Sequence, residues 1–357
     1  MSERPCPHCG RMNSSLVERC EHCSNSFWMP PVPPKSTWNS GKTAVLGALV
    51  FLAGAGYGLT ISRQTPPPPV SPPPVVVTST VNRPQLDVVF VIDTTGSMVD
   101  EIDVVKSQVS SMIGKIQSGQ PAPYVRVGLV AFRDRGDEYV TRTCALTDDI
   151  RSIQTAVDRL VADGGGDTPE SVNEALHVAL NEMDWNYDQK TRRLMFLIGD
   201  AAPHTDYAND YDYAQELNSA RQRGIKVHAW GCSGIEDSGD REFREIASLG
   251  GGDFQYLTYR QEVVKTDGTR AYVLYQGRDA FELKDEKANW KVGGQTLNTS
   301  GQAAELPKSS FCAPGAAGAP SLEGSYGKAR SARLENNLDH VLCEQVQREA
   351  SELGTKY

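Results

Sequence analysis

Two apolar runs without a polar interruption constrain this chain most: Val88-Val-Phe-Val-Ile92 and Leu194-Met-Phe-Leu-Ile198. A strand wetted on one face alternates polar and apolar residues. A strand apolar at every position is covered on both faces, as in a parallel sheet sandwiched between helices. The sequence supplies those covers at helical spacing. One stripe is Met98, Ile102, Val105, Val109, Met112 and Ile116; a second is Ile150, Ile153, Val157 and Leu160. A third is Val172, Ala175, Ala179 and Met183, and Phe243, Ile246 and Leu249 close the series before Gly250. Further strands are predicted at 125–132, 139–146, 225–230 and 254–257. The link between 125–132 and 139–146 contains Arg135-Gly-Asp137 and is too short for a crossover, so that pair is antiparallel. In this setting the tripeptide is a tight turn that wants glycine. The expected fold class is α/β, a doubly wound sheet of order 3-2-1-4-5-6 with one antiparallel edge, spanning 86–260.

Three polar clusters fall where strands end. They are Asp93-Thr94-Thr95-Gly96-Ser97, Gly164-Gly-Gly-Asp167-Thr168-Pro169-Glu170 and Gly199-Asp200. In an open α/β sheet the carboxyl ends of the strands form the ligand crevice, so the clusters converge there. Two carboxylates and several hydroxyls make an oxygen-only donor set, suited to Mg²⁺ first and Mn²⁺ or Ca²⁺ next. A plainer reading makes Asp93, Ser97, Asp167 and Thr168 helix caps, which leaves Asp200 unexplained.

These motifs resemble the metal-ion-dependent adhesion site of von Willebrand factor A (vWA) domains, whose opening D-x-S/T-x-S matches residues 93–97. The resemblance implies a Rossmann-like vWA fold. It also implies that Ser97, Thr95 and Thr168 give hydroxyl oxygens to the metal, while Asp93 and Asp200 hold it mainly through water. Thr95 replaces the commoner serine but keeps its oxygen. By the same resemblance the metal keeps an open position for an acidic side chain of a partner protein. His204 and Tyr207, with Tyr211 and Tyr213 beyond, are expected at the rim of that position. Some vWA domains instead serve AAA+ ATPases as adaptors, which would require a cytoplasmic domain. Asp93-Thr94-Thr95-Gly96-Ser97 also resembles the nucleophilic loop of haloacid-dehalogenase-type phosphatases. Here Thr95 stands where a second acid is usual, and Gly199-Asp200-Ala-Ala lacks the later acidic pair. No catalysis is expected.

The chain outside this unit reads as modular. Cys6-Pro-His-Cys9 and Cys20-Glu-His-Cys23 provide four thiolates at the spacing of a tetrahedral Zn²⁺ site, similar to the short zinc ribbons of many prokaryotic membrane proteins. The ribbon is assigned to 1–27 and a juxtamembrane linker to 28–42. Residues 43–62 carry no charge, and about twenty residues at about 1.5 Å each match the hydrocarbon layer, so one membrane helix is expected. Basic residues concentrate ahead of it, which puts the N-terminus in the cytoplasm and the vWA unit in the periplasm or outside the cell. Residues 63–85 are a Pro-rich stalk. A net charge of −9 argues against nucleic acid as a partner. Residues 261–357 form a small α+β extension of unknown type, with a hairpin at 271–275 and 280–283 and a terminal helix over 334–353. Cys144 and Cys232 fall about four strand spacings apart and cannot pair, whereas Cys312 and Cys343 are the favoured bridge.

Overall fold

The computed structural model describes residues 3–5, 12–14, 83–166, 168–312, 321–322, 326–329 and 334–357. At the N-terminus, β1 (Glu3–Pro5) and β2 (Met12–Ser14) pair antiparallel, with Glu3 opposite Ser14 and Pro5 opposite Met12. The four ribbon cysteines, the linker, the span at 43–62 and the stalk up to residue 82 lie outside the described residues. Among the described residues no helix is long and apolar enough to cross a membrane.

The central unit runs β3 (Gln85–Asp93), α1 (Val99–Gln117), β4 (Tyr124–Phe132), β5 (Thr141–Thr147), α2 (Ile150–Asp158), α3 (Val172–Asn181), β6 (Thr191–Gly199), α4 (Tyr213–Gln222), β7 (Ile225–Gly231), α5 (Asp237–Leu249) and β8 (Gly251–Tyr256). The sheet order is β5-β4-β3-β6-β7-β8. Every pairing in it is parallel except β4 with β5. This is the doubly wound arrangement expected from the two apolar runs. The alternation of strand side chains serves two cores. Val88, Phe90 and Ile92 join α1 and α2 in one, and Val89 and Val91 join α3, α4 and α5 in the other. Helix α4 escaped the sequence reading because it buries only Leu217 and Ala220. Its start is set by Asp212, whose side chain accepts from the Ala214 and Gln215 N–H groups.

After β8 the chain turns directly into a second, antiparallel sheet. The elements that follow are β9 (Thr258–Lys265), β10 (Arg270–Gln276), β11 (Asp279–Leu283), α6 (Gly294–Thr299), β12 (Ala303–Glu305), a separate two-stranded pair β13 (Phe311–Cys312) and β14 (Ser321–Leu322), β15 (Tyr326–Ala329) and β16 (Glu335–Asn336). The order is β12-β11-β10-β9-β15, with β16 also on β9. The expected hairpin is β10–β11, in the middle of this larger sheet. Strand β9 runs across residue 260, where the sequence reading drew its boundary.

The last helix, α7 (Leu338–Glu352), returns to the parallel sheet. Leu338, Leu342, Val346 and Ala350 enter the same core as Met112 and Ile116 of α1. That face then carries three helices, α1, α2 and α7, against α3, α4 and α5 on the other. Cys343 sits in the α1–α7 contact as a free, buried thiol directed at the Met112 carbonyl and the Asp339 carboxylate. Burial pushes it up to about 12. The expected Cys312–Cys343 bridge is therefore not formed, because Cys343 is turned toward α1. Cys144 and Cys232 are likewise free and buried, on β5 and just past β7.

Candidate functional site

Strand β3 lies between β4 and β6, so the loops leaving β3 and β6 diverge to opposite faces and open a crevice at their carboxyl ends. Asp93 closes β3 and is fully buried. Its Oδ1 accepts from the Thr95 N–H at 2.9 Å and the Thr95 hydroxyl at 2.7 Å. Thr95 Oγ1 in turn lies 3.3 Å from Ser97 Oγ. Thr94 points away from the crevice and bonds the Phe132 carbonyl and the Tyr139 hydroxyl, which pins this loop to the end of β4. Arg133 adds a clamp by donating to the carbonyls of Thr94 and Val161.

Asp200 follows β6 beside Asp93. The charge of Asp200 acts on the Asp93 carboxyl, and the nearby Ser97 hydroxyl favours the ionised form of Asp200. Gly199 permits this approach, since a Cβ there would lie 3.1 Å from Asp93 Cβ and 3.3 Å from Asp93 Oδ2. Burial first, and then the charge of Asp200, hold the Asp93 carboxyl well above the usual range. Burial raises Asp200 as well, against the opposing Ser97 hydroxyl. Asp93 Oδ2 and Asp200 Oδ1 are both buried without a hydrogen-bond partner.

The third loop packs on the first through Gly96 N–H to the Gly164 carbonyl and Asp163 N–H to the Thr94 carbonyl, both 3.1 Å. Gly165 has a φ of +67°, and a Cβ there would meet Thr95 Cβ at 2.6 Å, so glycine is required. Thr168, the predicted hydroxyl donor of this loop, is exposed, and no hydrogen bond joins it to the cluster among the described residues. Asp167 lies outside those residues. Among the described residues neither α1 nor α3 has a side-chain cap, so Asp93, Ser97 and Thr168 do not cap them.

The crevice holds carboxylates that the sequence reading did not assign. Glu170 is 2% exposed and its Oε2 lacks a partner. Burial, and then Asp93, Asp134, Asp137 and Asp200, push it up to about 9. Asp134 accepts from Ser171 Oγ at 2.8 Å and Tyr207 Oη at 2.7 Å. Asp137 accepts from the N–H groups of Gly165 at 3.0 Å and Asp134 at 3.2 Å. Asp134 and Asp137 follow β4, so the rule that pointed to Asp93 and Asp200 covers them too. The Arg-Gly-Asp turn is occupied internally: Gly136 takes a φ of +102°, and Arg135 pairs with Asp210 at 3.1 Å.

His204 and Tyr207 do not form an open rim. His204 is buried, with Nδ1 2.7 Å from Asp206 Oδ1 and Nε2 3.4 Å from Asp134 Oδ1. It stacks under the half-buried Tyr207 with ring centroids 3.8 Å apart, and Arg135 lies over the tyrosine ring. Both side chains hold the carboxylate wall in place. Tyr211 stacks on His177.

Buried oxygens of like charge with unused lone pairs call for a counter-charge, and hard oxygen donors suit a hard divalent cation. Asp93, Asp200, Thr95 and Ser97 are the residues that could hold one. Among the described residues no three His, Cys, Asp or Glu side chains gather as a self-sufficient metal cage. The donor set here is instead mixed, with hydroxyls beside two carboxylates.

Residues 87–258 match the family model described as the von Willebrand factor A domain. Similar proteins include hemicentin-1 of Mus musculus, 27% identical over 180 residues, which cover 50% of this chain and 3% of hemicentin. Human von Willebrand factor A domain-containing protein 7 is 37% identical over 97 residues, 27% of this chain and 10% of that protein. The matches thus span only small fractions of these relatives' lengths. Among solved structures, proximal thread matrix protein 1 of the mussel byssus aligns with a TM-score of 0.36 at 16% identity, over 48% of this chain and 42% of that one. The pilus adhesin SpaC of Lactobacillus rhamnosus GG aligns with a TM-score of 0.37 at 15% identity, over 57% and 33%.

Proposed function

We propose that this chain is a membrane-anchored binding protein whose vWA domain captures an acidic side chain of a protein ligand through a divalent cation. Mg²⁺ is the first choice, with Mn²⁺ or Ca²⁺ next. Asp93, Thr95, Ser97 and Asp200 hold the ion, Thr168 stands at the entrance, and the ion supplies Coulomb attraction for the ligand's carboxylate. The observation that carries the reading is the pair of buried, partnerless oxygens on Asp93 and Asp200, two acids close enough that the charge of Asp200 raises Asp93. A phosphatase reading has less support, because Asp93 is fully buried and its Oδ1 is tied down by Thr95. In the same proposal Cys6, Cys9, Cys20 and Cys23 bind Zn²⁺ in the cytoplasm, residues 43–62 span the membrane, and the stalk presents the vWA domain outside it.

Capture of extracellular proteins on the purified chain, with and without chelator, tests the binding role. Recovery that is lost with chelator and restored by Mg²⁺ is the expected result, and cation-independent recovery counts against it. Protease treatment of intact cells tests orientation: cleavage in the stalk is expected, and protection would favour the cytoplasmic adaptor.

A further inference from the structure

A second recess lies where β8 passes into β9 and meets the turn before α6. It encloses about 190 Å³, room for about six waters, and Asp93, Thr95, Ser97 and Asp200 do not line it. Gly293 keeps its floor open: its φ is +93°, and a Cβ there would meet Gln276 Oε1 at 2.8 Å and Thr258 Oγ1 at 3.7 Å. Gln276 lines the recess and is 6% exposed. Its Oε1 accepts from the Gln295 N–H at 3.1 Å, which fixes the carboxamide and leaves Nε2 without a hydrogen bond among the described residues. An NH₂ group enclosed in this way is costly unless something answers it. The Thr258 hydroxyl has the Tyr256 carbonyl as acceptor only at 3.5 Å, the limit of a bond. Asn337, beside them, is spent on the fold instead. It accepts from the Thr258 N–H at 2.9 Å and donates to the Tyr256 and Lys291 carbonyls, both at 3.2 Å.

The lining sets the chemistry of an occupant. Among the described residues no Asp or Glu lines the recess, so it offers a cation nothing. Its charged residue, Arg244, is answered by Asp240 through bonds of 2.9 and 3.1 Å and lies 4.2 Å over the Phe254 ring, so no anion is called for. Half-buried Phe254 and Tyr256 give an apolar wall. Gln295 and Thr296 of α6 are exposed at the mouth, with no side-chain hydrogen bonds among the described residues. Carboxamides and hydroxyls present donors and acceptors side by side, and ligand hydroxyls match them best because each one both donates and accepts. A ring with C–H bonds on its faces and hydroxyls at its rim suits both surfaces.

We propose that this recess binds one pyranose sugar residue, held by Gln276, Thr258 and the α6 side chains and packed against Phe254 and Tyr256. The site shares no residue with the cation crevice and does not depend on it.

Saturation-transfer NMR of glucose, galactose and mannose, each also as its methyl glycoside, tests it on the full-length chain in a detergent without a sugar head group. At least one sugar is expected to bind in the millimolar range, equally well with and without chelator. Methyl glycosides that bind as well as the free sugars assign a glycan residue as occupant, and free sugars that bind alone assign a soluble monosaccharide. No binding by any of them at tens of millimolar overturns the proposal. Binding lost in chelator overturns it too, by placing the sugar on the cation site. Gln276→Met keeps the volume and removes the carboxamide, and is expected to weaken binding about tenfold, the scale of one hydrogen bond lost from a buried group. Should it fail to fold, Thr296→Trp, at an exposed position of α6, closes the mouth and is expected to abolish binding with an unchanged melting temperature. Parent-like affinity in Thr296→Trp, or in a folded Gln276→Met, overturns the assignment to this recess.

Discussion

Strand β3 carries a buried aspartate at each end, and the two stand in opposite circumstances. Asp87, near the amino end, is 2% exposed and fully compensated: Arg126 grips both its oxygens at 2.8 and 2.6 Å, and the Asn186 N–H adds a bond of 2.7 Å. Asp93, at the carboxyl end, is just as buried, yet its Oδ2 has no partner and its charged neighbours are acids. Burial alone therefore does not mark function. The separating feature is whether the protein itself answers the charge, as it does at Asp87 to join β3, β4 and the segment before β6. At Asp93 the answer is left to something outside the chain.

The sharpest way to break this comparison is to remove each acid in turn. Asp87→Ala strands the Arg126 guanidinium in a largely buried position and is expected to cost about 3 kcal/mol in urea unfolding, while Mn²⁺ affinity stays within about twofold. A cost below about 1 kcal/mol would remove the structural half of the contrast. Asp93→Ala is expected to do the reverse, weakening Mn²⁺ binding about a hundredfold, or about 2.8 kcal/mol, with the fold retained. Unchanged binding would remove the functional half.

The carboxyl end should also declare itself through pH. Glu170 is raised from 4.5 to about 9 in the folded chain, so the native state keeps a proton that the unfolded chain releases. That contribution to stability is fully present below about pH 4.5 and is lost as pH rises through about 9. Metal-free protein is expected to lose roughly 2 kcal/mol from this cluster between those limits, less than one isolated group would give, because Asp93 and Asp200 compete for the proton. Saturating Mg²⁺ should flatten the profile in parallel urea titrations; a metal-free profile already flat would contradict the uncompensated cluster. The smallest effect is expected from Asp93→Asn. It replaces the acid by a neutral amide of the same shape, which needs no proton to sit among the other acids, and should raise metal-free stability by about 1 kcal/mol while abolishing the gain from Mg²⁺. A drop in metal-free stability would show that Asp93 is compensated after all.

Much of the fold was legible because its signals are local. Five residues without a polar break in β3 and β6 demanded cover on both sides, and the short link through Gly136 forbade a crossover. The antiparallel sheet after β8 was harder to read. Strand β9, Thr-Tyr-Arg-Gln-Glu-Val-Val-Lys, mixes buried Gln261 with partly exposed Val264 and offers no clean alternation. The site divided in the same manner. Asp93 and Asp200 were visible as acids ending apolar strands. Glu170 was visible only as one polar residue in a polar loop, and His204 looked available because nothing nearby in sequence showed that Tyr207 and Asp134 would enclose it.

The sequence by itself determined the doubly wound sheet, its antiparallel edge and the end at which chemistry could be placed, because hydrophobic period and link length act within a few residues. Only the tertiary structure decided that Glu170, Asp134 and Asp137 join Asp93 and Asp200, and that Cys343 faces Met112 rather than a disulfide partner. It also decided that α7 completes the helical layer begun by α1, after the intervening antiparallel sheet. Those outcomes depend on contacts between residues far apart along the chain, where burial and charge are set by what folds over a side chain and not by its neighbours in sequence.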